Sequence, residues 1–207
     1  MRPLARLLAV TNDVICRATD FPARVAALAA TGPATGILVR APGCSAAEQA
    51  EFAEQAAAAA RPAGAMLLVH ARPDLARAVE ADGVQLRRAD LAPADARKLF
   101  SAGWIGVSVH DRAEAEAAIA EGADFVVAGN VFATSSHPER PARGLAWLEA
   151  ICALGRPVVA IGGITAERAP AVQRAGAWGA AAISALWDSA DPAVAAQGIL
   201  AAWTDAT

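Results

Sequence analysis

Short apolar runs and amphipathic runs alternate along the whole chain. The apolar runs fall at residues 7–11, 36–40, 65–70, 83–86, 104–109, 124–129, 157–161 and 178–184. Each reads as a strand buried on both faces, the habit of parallel sheets. Helical patterns follow near residues 21–30, 45–60, 73–76, 93–100, 112–121, 145–154, 165–174 and 191–203, with Ser45, Asp111 and Thr165 as N-caps. The strand–helix unit recurs eight times at roughly 20–25 residues, which predicts a closed (β/α)8 TIM barrel spanning residues 1–207 as one domain. The rival is an open doubly wound sheet. It is disfavoured because the first strand lacks GxGxxG and nothing marks a switch point. Residues 130–144 form the longest irregular stretch, and long barrel loops often serve as lids or binding loops.

Composition narrows the function classes. The 207 residues carry a net charge of −3, and the basic residues are scattered rather than blocked. Nucleic acid and anionic membranes are therefore not expected partners. The apolar run after Met1 is too short for a signal peptide or a membrane span. Cys16, Cys44 and Cys152 are odd in number and widely spaced, so a disulfide framework is not expected and a reducing, cytoplasmic location is. Trp147, Trp187 and Trp203 suit either the helix–barrel core or the interface of a homodimer.

In such a barrel, chemistry gathers where the strands end. The polar residues there are Thr11, Asn12 and Asp13, then Arg40, then His70, then Gln85, Arg87, Arg88 and Asp90. Ser108 and His110 follow strand five; Asn130, Thr134, Ser136 and His137 follow strand six. All three histidines of the chain fall on this rim. His110 directly precedes Asp111 and reads as part of a helix start, and His137 reads as a solvated loop histidine. Asp90 suits a helix cap or a metal ligand. Three histidines with Asp90 lack the HxH or HxxxH spacing of a transition-metal site. The apolar run at 157–161 ends in Gly162 and Gly163, where the backbone can turn sharply and approach a ligand. With Thr165 capping a helix directly behind it, and Ile183 and Ser184 after strand eight, this corner is an expected phosphate site.

The chain resembles the thiamine phosphate synthase / thiazole tautomerase (TenI-type) family. The stretches that carry the resemblance are residues 8–12, 74–76, 81–86, 90–91, 105–110, 122–126, 129–134, 160–164 and 181–185. The resemblance implies a (β/α)8 barrel binding a hydroxyethylthiazole phosphate, its phosphate on Gly162, Gly163, Ile183 and Ser184. It also points to Arg40, Ser108, Thr134 and Ser136 as substrate-binding residues. Departures fall in the catalytic motifs. A synthase joins hydroxymethylpyrimidine pyrophosphate to the thiazole phosphate with release of pyrophosphate. It has Gln-x-Arg-x-Lys after strand two; here Leu38, Arg40 and Pro42 stand at those positions. Its Asn-Asp-Arg after strand three is His70-Ala71-Arg72, so of two Mg²⁺ carboxylates only Asp90 remains. Its Thr-x-Thr-Lys is Thr134-Ser135-Ser136-His137. Lysines and Mg²⁺ would stabilise a leaving pyrophosphate. Their loss favours a tautomerase-like isomerase that aromatises a thiazole carboxylate phosphate without a cofactor. Its proton would move through His70 or His137, since Asn130 stands where that branch often has histidine. The alternatives are an Mg²⁺-dependent synthase and a non-catalytic thiazole phosphate binder.

Overall fold

The structure is a computed structural model, in which residues 2–134 and 141–204 are described. Eight parallel strands close into a barrel in chain order. They are β1 (Leu7–Val10), β2 (Thr35–Val39), β3 (Met66–His70), β4 (Gly83–Leu86), β5 (Trp104–Val109), β6 (Phe125–Gly129), β7 (Val158–Ile161) and β8 (Gly179–Ala182). The strand register closes between β8 and β1, with Leu8 level with Ala181. The expected (β/α)8 TIM barrel is therefore the observed fold.

Alternation along each strand divides the apolar residues into two cores. Leu8, Leu38, Leu68, Phe125, Val159 and Ala181 pack together inside the barrel. Their neighbours Leu7, Ala9, Ile37, Val39, Val126 and Ala128 belong to the layer between strands and helices. The lower half of the barrel is solid. A Cβ on Gly106 would meet the Phe125 ring at 2.2 Å, so the large ring of β6 fills space that glycine leaves on β5. Trp104 and Trp178 close the base, their indole N–H groups donating to the carbonyls of Arg2 and Leu4 at 3.0 and 3.2 Å. Arg6 stacks over the Trp178 ring at 3.6 Å. Filling from below leaves only the C-terminal end of the strands open.

The outer helices are α1 (Asp13–Arg17), α2 (Phe21–Ala29), α3 (Ala46–Ala60), α4 (Pro73–Ala78), α5 (Pro93–Leu99), α6 (Arg112–Ala120), α7 (Leu145–Cys152), α8 (Ala169–Arg174), α9 (Ser184–Trp187) and α10 (Pro192–Thr204). Ser45 and Glu48 form a full capping box on α3, and the Asp111 carboxylate caps α6. Trp187 and Trp203 belong to the helix layer: Trp187 lies 6.0 Å from Phe21, and Trp203 donates to the Ala177 carbonyl at 3.1 Å. Among the described residues, no helix is long and apolar enough to cross a membrane.

Two expectations are corrected. Thr165 does not cap a helix. Its carbonyl closes a single turn to Arg168 and Ala169, and its hydroxyl is bound to Glu167. Helix α8 starts four residues later because Pro170 has no N–H, so it fits only the first helical turn. The short helices α1 and α9 were not expected, being too brief to show a period. Asn12 caps α1 by accepting from the Ile15 N–H at 2.9 Å.

Candidate functional site

The strands end around a cavity of about 720 Å³. Val10, Leu38, Val127 and Ala181 line its depth, so the lower part is apolar. The polar residues expected from the sequence stand around it: Arg40, His70, Ser108, Asn130, Thr134, Gly162, Gly163, Ile183 and Ser184 all line the cavity. Ser136 and His137 lie outside the described residues.

One side is built from backbone. Gly162 and Gly163 have φ of 102° and 63°, the region that favours glycine. A Cβ on Gly162 would come within 2.5 Å of the Asn130 Cβ, and one on Gly163 within 2.4 Å of the Ala133 carbonyl. The loop after β6 rests directly on this turn, Val131 and Phe132 donating to the carbonyls of Ile161 and Gly162 at 2.9 and 3.1 Å. Both glycines are thus fixed by conformation and by close approach. Across the β7–β8 corner, Ile183 turns the chain and α9 begins at Ser184. Among the described residues no acceptor takes the N–H groups of Gly163, Ile164, Ser184 or Ala185. Four free donors at the end of two adjacent strands suit a phosphate. The short α9, rather than the helix after β7, supplies the helical N–H groups here.

The opposite side is built from side chains. Arg40 is tied at its backbone, its N–H donating to the Thr11 hydroxyl at 2.8 Å and its carbonyl accepting from it at 3.0 Å. Its guanidinium has no ion-pair or hydrogen-bond partner among the described residues. Burial and the nearby Arg87 push its pKa down, while Asp13 pulls it up. His70 is 8% exposed and level with Gln85 on β4. Burial first, then the charge of Arg40, pushes its pKa down to about 4, so it is neutral at pH 7. Between the two sides, Gln85 donates its side-chain amide to the Ser108 hydroxyl at 2.6 Å and to the Leu86 carbonyl at 2.7 Å. Gln85 is buried, and the sequence alone marks it only as a polar residue on the rim. Its signal was an amide at the inward position of β4. His110 behaves as a helix-start residue: its N–H and ring both face the Glu114 carboxylate, 2.6 and 3.2 Å away.

Asp90 does not sit in a metal-binding pair. Arg87 donates to it from its backbone N–H at 2.7 Å, from Nη2 at 2.7 Å and from Nε at 3.2 Å. Burial raises the Asp90 pKa, but these bonds more than offset it and hold the carboxyl below its usual range. Position 71 is alanine, with its N–H on the Gln85 carbonyl at 2.8 Å. Among the described residues no group of three or more His, Cys, Asp or Glu is placed to hold a metal. Mg²⁺ is held by one or two carboxylates plus substrate phosphates; here Asp90 is engaged by Arg87, and Glu114, which lines the cavity, faces the His110 N–H and ring. These residues do not fit the expected Mg²⁺ site.

Comparison with known proteins places the chain in a family. The family model described as thiamine monophosphate synthase matches residues 7–186. The chain belongs to that family. A thiamine-phosphate synthase from Chloroflexus aurantiacus is 39% identical over 194 residues, covering 93% of this chain and 89% of that protein. A thiamine-phosphate synthase from a Synechococcus species is 43% identical over 150 residues, covering 72% of this chain and 42% of that longer relative. A solved thiamine phosphate pyrophosphorylase from Pyrococcus furiosus superposes with a TM-score of 0.84 at 32% identity, covering 97% of this chain and 96% of that one. The relatives' names favour the synthase branch and lend nothing to the tautomerase expectation.

Proposed function

We propose that the protein is a transferase of the thiamine-phosphate synthase kind. It holds a thiazole phosphate by its phosphate tail at Gly162, Gly163, Ile183 and Ser184. It joins the thiazole nitrogen to the methylene carbon of hydroxymethylpyrimidine pyrophosphate. The new C–N bond replaces the C–O bond to pyrophosphate, which leaves with the bonding electron pair. The observation that carries this reading is the cavity's layout: an N–H-lined end at β7–β8, a guanidinium end at Arg40, and an apolar floor between them. Two rings with one anion at each outer end match that layout. Arg40 faces the leaving group, where a desolvated cation stabilises developing negative charge more strongly than it would in water. Gln85 and Ser108 stand mid-cavity, where polar groups of the rings need partners.

Purified protein supplied with both substrates tests this reading. Pyrophosphate release and a product of the summed mass, less pyrophosphate, are the expected result. One observation favours a second reading, a proton shift on a thiazole carboxylate phosphate: neutral His70 lies in the cavity beside Arg40, which could hold the carboxylate. Isomerisation of that compound without any coupling of the two rings would replace the first reading with the second.

A further inference from the structure

We propose that the β2–β4 side of the cavity is a metal-independent polyphosphate site, gripped by Arg40 and by Arg87, whose guanidinium is held on Asp90 where the family resemblance puts a cation. The identity of the anion as pyrophosphate rests on the proposed transferase reading. The site itself rests on charge and geometry. Arg87 spends Nε and Nη2 on Asp90, leaving Nη1 without a partner among the described residues. Its fork is thereby fixed by a bidentate pair rather than left to rotate in solvent. The Asp90 side chain is only 10% exposed, so the pair is anchored at its inner end.

A recess of about 190 Å³ adjoins the main cavity and shares His70 and Arg87 with it. Val39, Gln49, Ala71 and Arg72 are among its other walls, and none of its lining residues is acidic. Gln49 commits its amide to the carbonyls of Ala41 and Cys44 at 3.1 and 3.0 Å, which shapes the wall but adds no charge. Arg72 is balanced by Asp74 at 2.6 Å. In the main cavity Arg88 is paired with Glu121 and Glu114 faces His110, so the guanidinium edges left over among the described residues are Arg40 and the outer edge of Arg87. Two guanidinium groups facing one space whose recess has no acidic wall repel a divalent metal and attract a polyphosphate. The family's lost lysine at position 42 and lost aspartate at position 71 then belong together. Without the second carboxylate no metal is held, and an arginine at position 87 supplies positive charge at the remaining one.

Calorimetric titration of the full chain with inorganic pyrophosphate tests the proposal. Binding in EDTA should match binding in millimolar Mg²⁺ within about threefold, after allowance for the Mg²⁺–pyrophosphate complex in solution. Arg87→Gln and Arg40→Gln should each weaken it about tenfold or more, the scale of a lost charge-assisted bond. Arg87→Lys, which keeps the charge and loses the fork, should fall between. Arg112→Ala, which removes a positive charge far from the cavity, should change nothing. Binding only with Mg²⁺ overturns the proposal. So does a loss that follows Ser184→Ala and not Arg87→Gln, which would put the anion at the β7–β8 corner. The two readings fail separately. Metal-free pyrophosphate binding with no coupled product keeps the site and sinks the transferase; coupled product made only with Mg²⁺ keeps the transferase and sinks the site.

Discussion

The two sides of the rim are made of different materials. At β7–β8 the donors are backbone N–H groups, placed by two glycines with positive φ and by a neighbouring loop so close that a Cβ on Gly162 would come within 2.5 Å of it. At β2–β4 the donors are side chains: His70 ends β3, and Arg40 and Arg87 stand directly after β2 and β4. A backbone site is hard to change without changing the fold. A side-chain site can be rebuilt one residue at a time. The resemblance read from the sequence follows the same division, with matches at the glycine corner and departures across the cavity.

The largest expected effect comes from damaging the backbone side. Gly162→Ala forces a side chain onto φ of 102° and into Asn130. It should cost about 2–4 kcal/mol of stability in urea unfolding and weaken thiazole phosphate binding about a hundredfold. Unchanged affinity would show that the corner does not hold the phosphate. Next is His70, which sharpens the other side. Its folded pKa of about 4 lies below the ordinary value of 6.5. Protonation therefore favours the unfolded chain, and the stability is intact above pH 6.5 and lost as pH falls toward 4. Unfolding free energies at pH 7 and pH 4.5 should differ by roughly 2 kcal/mol from this group, out of about 3 kcal/mol over the full window, and His70→Asn should remove that component.

Smaller again is Gln85→Leu, which strips the Ser108 hydroxyl of its 2.6 Å donor. It should lower kcat/KM about tenfold while leaving thiazole phosphate affinity near the parent value; a loss of affinity instead would move Gln85 to the phosphate side. The smallest is Ser45→Ala, which removes the cap of α3. It should cost about 1 kcal/mol in thermal or urea unfolding and leave both anion affinities unchanged.

All eight strands were legible, because a barrel strand must be apolar on both faces and such runs are unmistakable between amphipathic segments. The glycine pair and Ser184 were legible as a corner for the same reason: barrel order makes β7 and β8 neighbours. The start of α8 was not, because Thr165 offers a good cap and the veto comes from Pro170, five residues on. The fate of Asp90 was not legible either. A carboxylate three residues after an arginine reads equally as ligand, cap or ion pair, and only folding shows that Arg87 turns back to take both oxygens. Gln85 was visible as a polar residue, yet its bond to Ser108 depends on strand register that no local pattern states. The choice between joining two rings and shifting a proton stayed hidden, since it lies in side chains whose partners are substrates.

The most direct test of the two-sided account is a crystal structure of the protein with thiazole phosphate and pyrophosphate bound together. The account predicts the thiazole's phosphate within hydrogen-bond reach of the Gly163 and Ser184 N–H groups, and the pyrophosphate against Arg40 and Arg87. A thiazole phosphate tail lying on Arg40, with the β7–β8 corner unused, would contradict it.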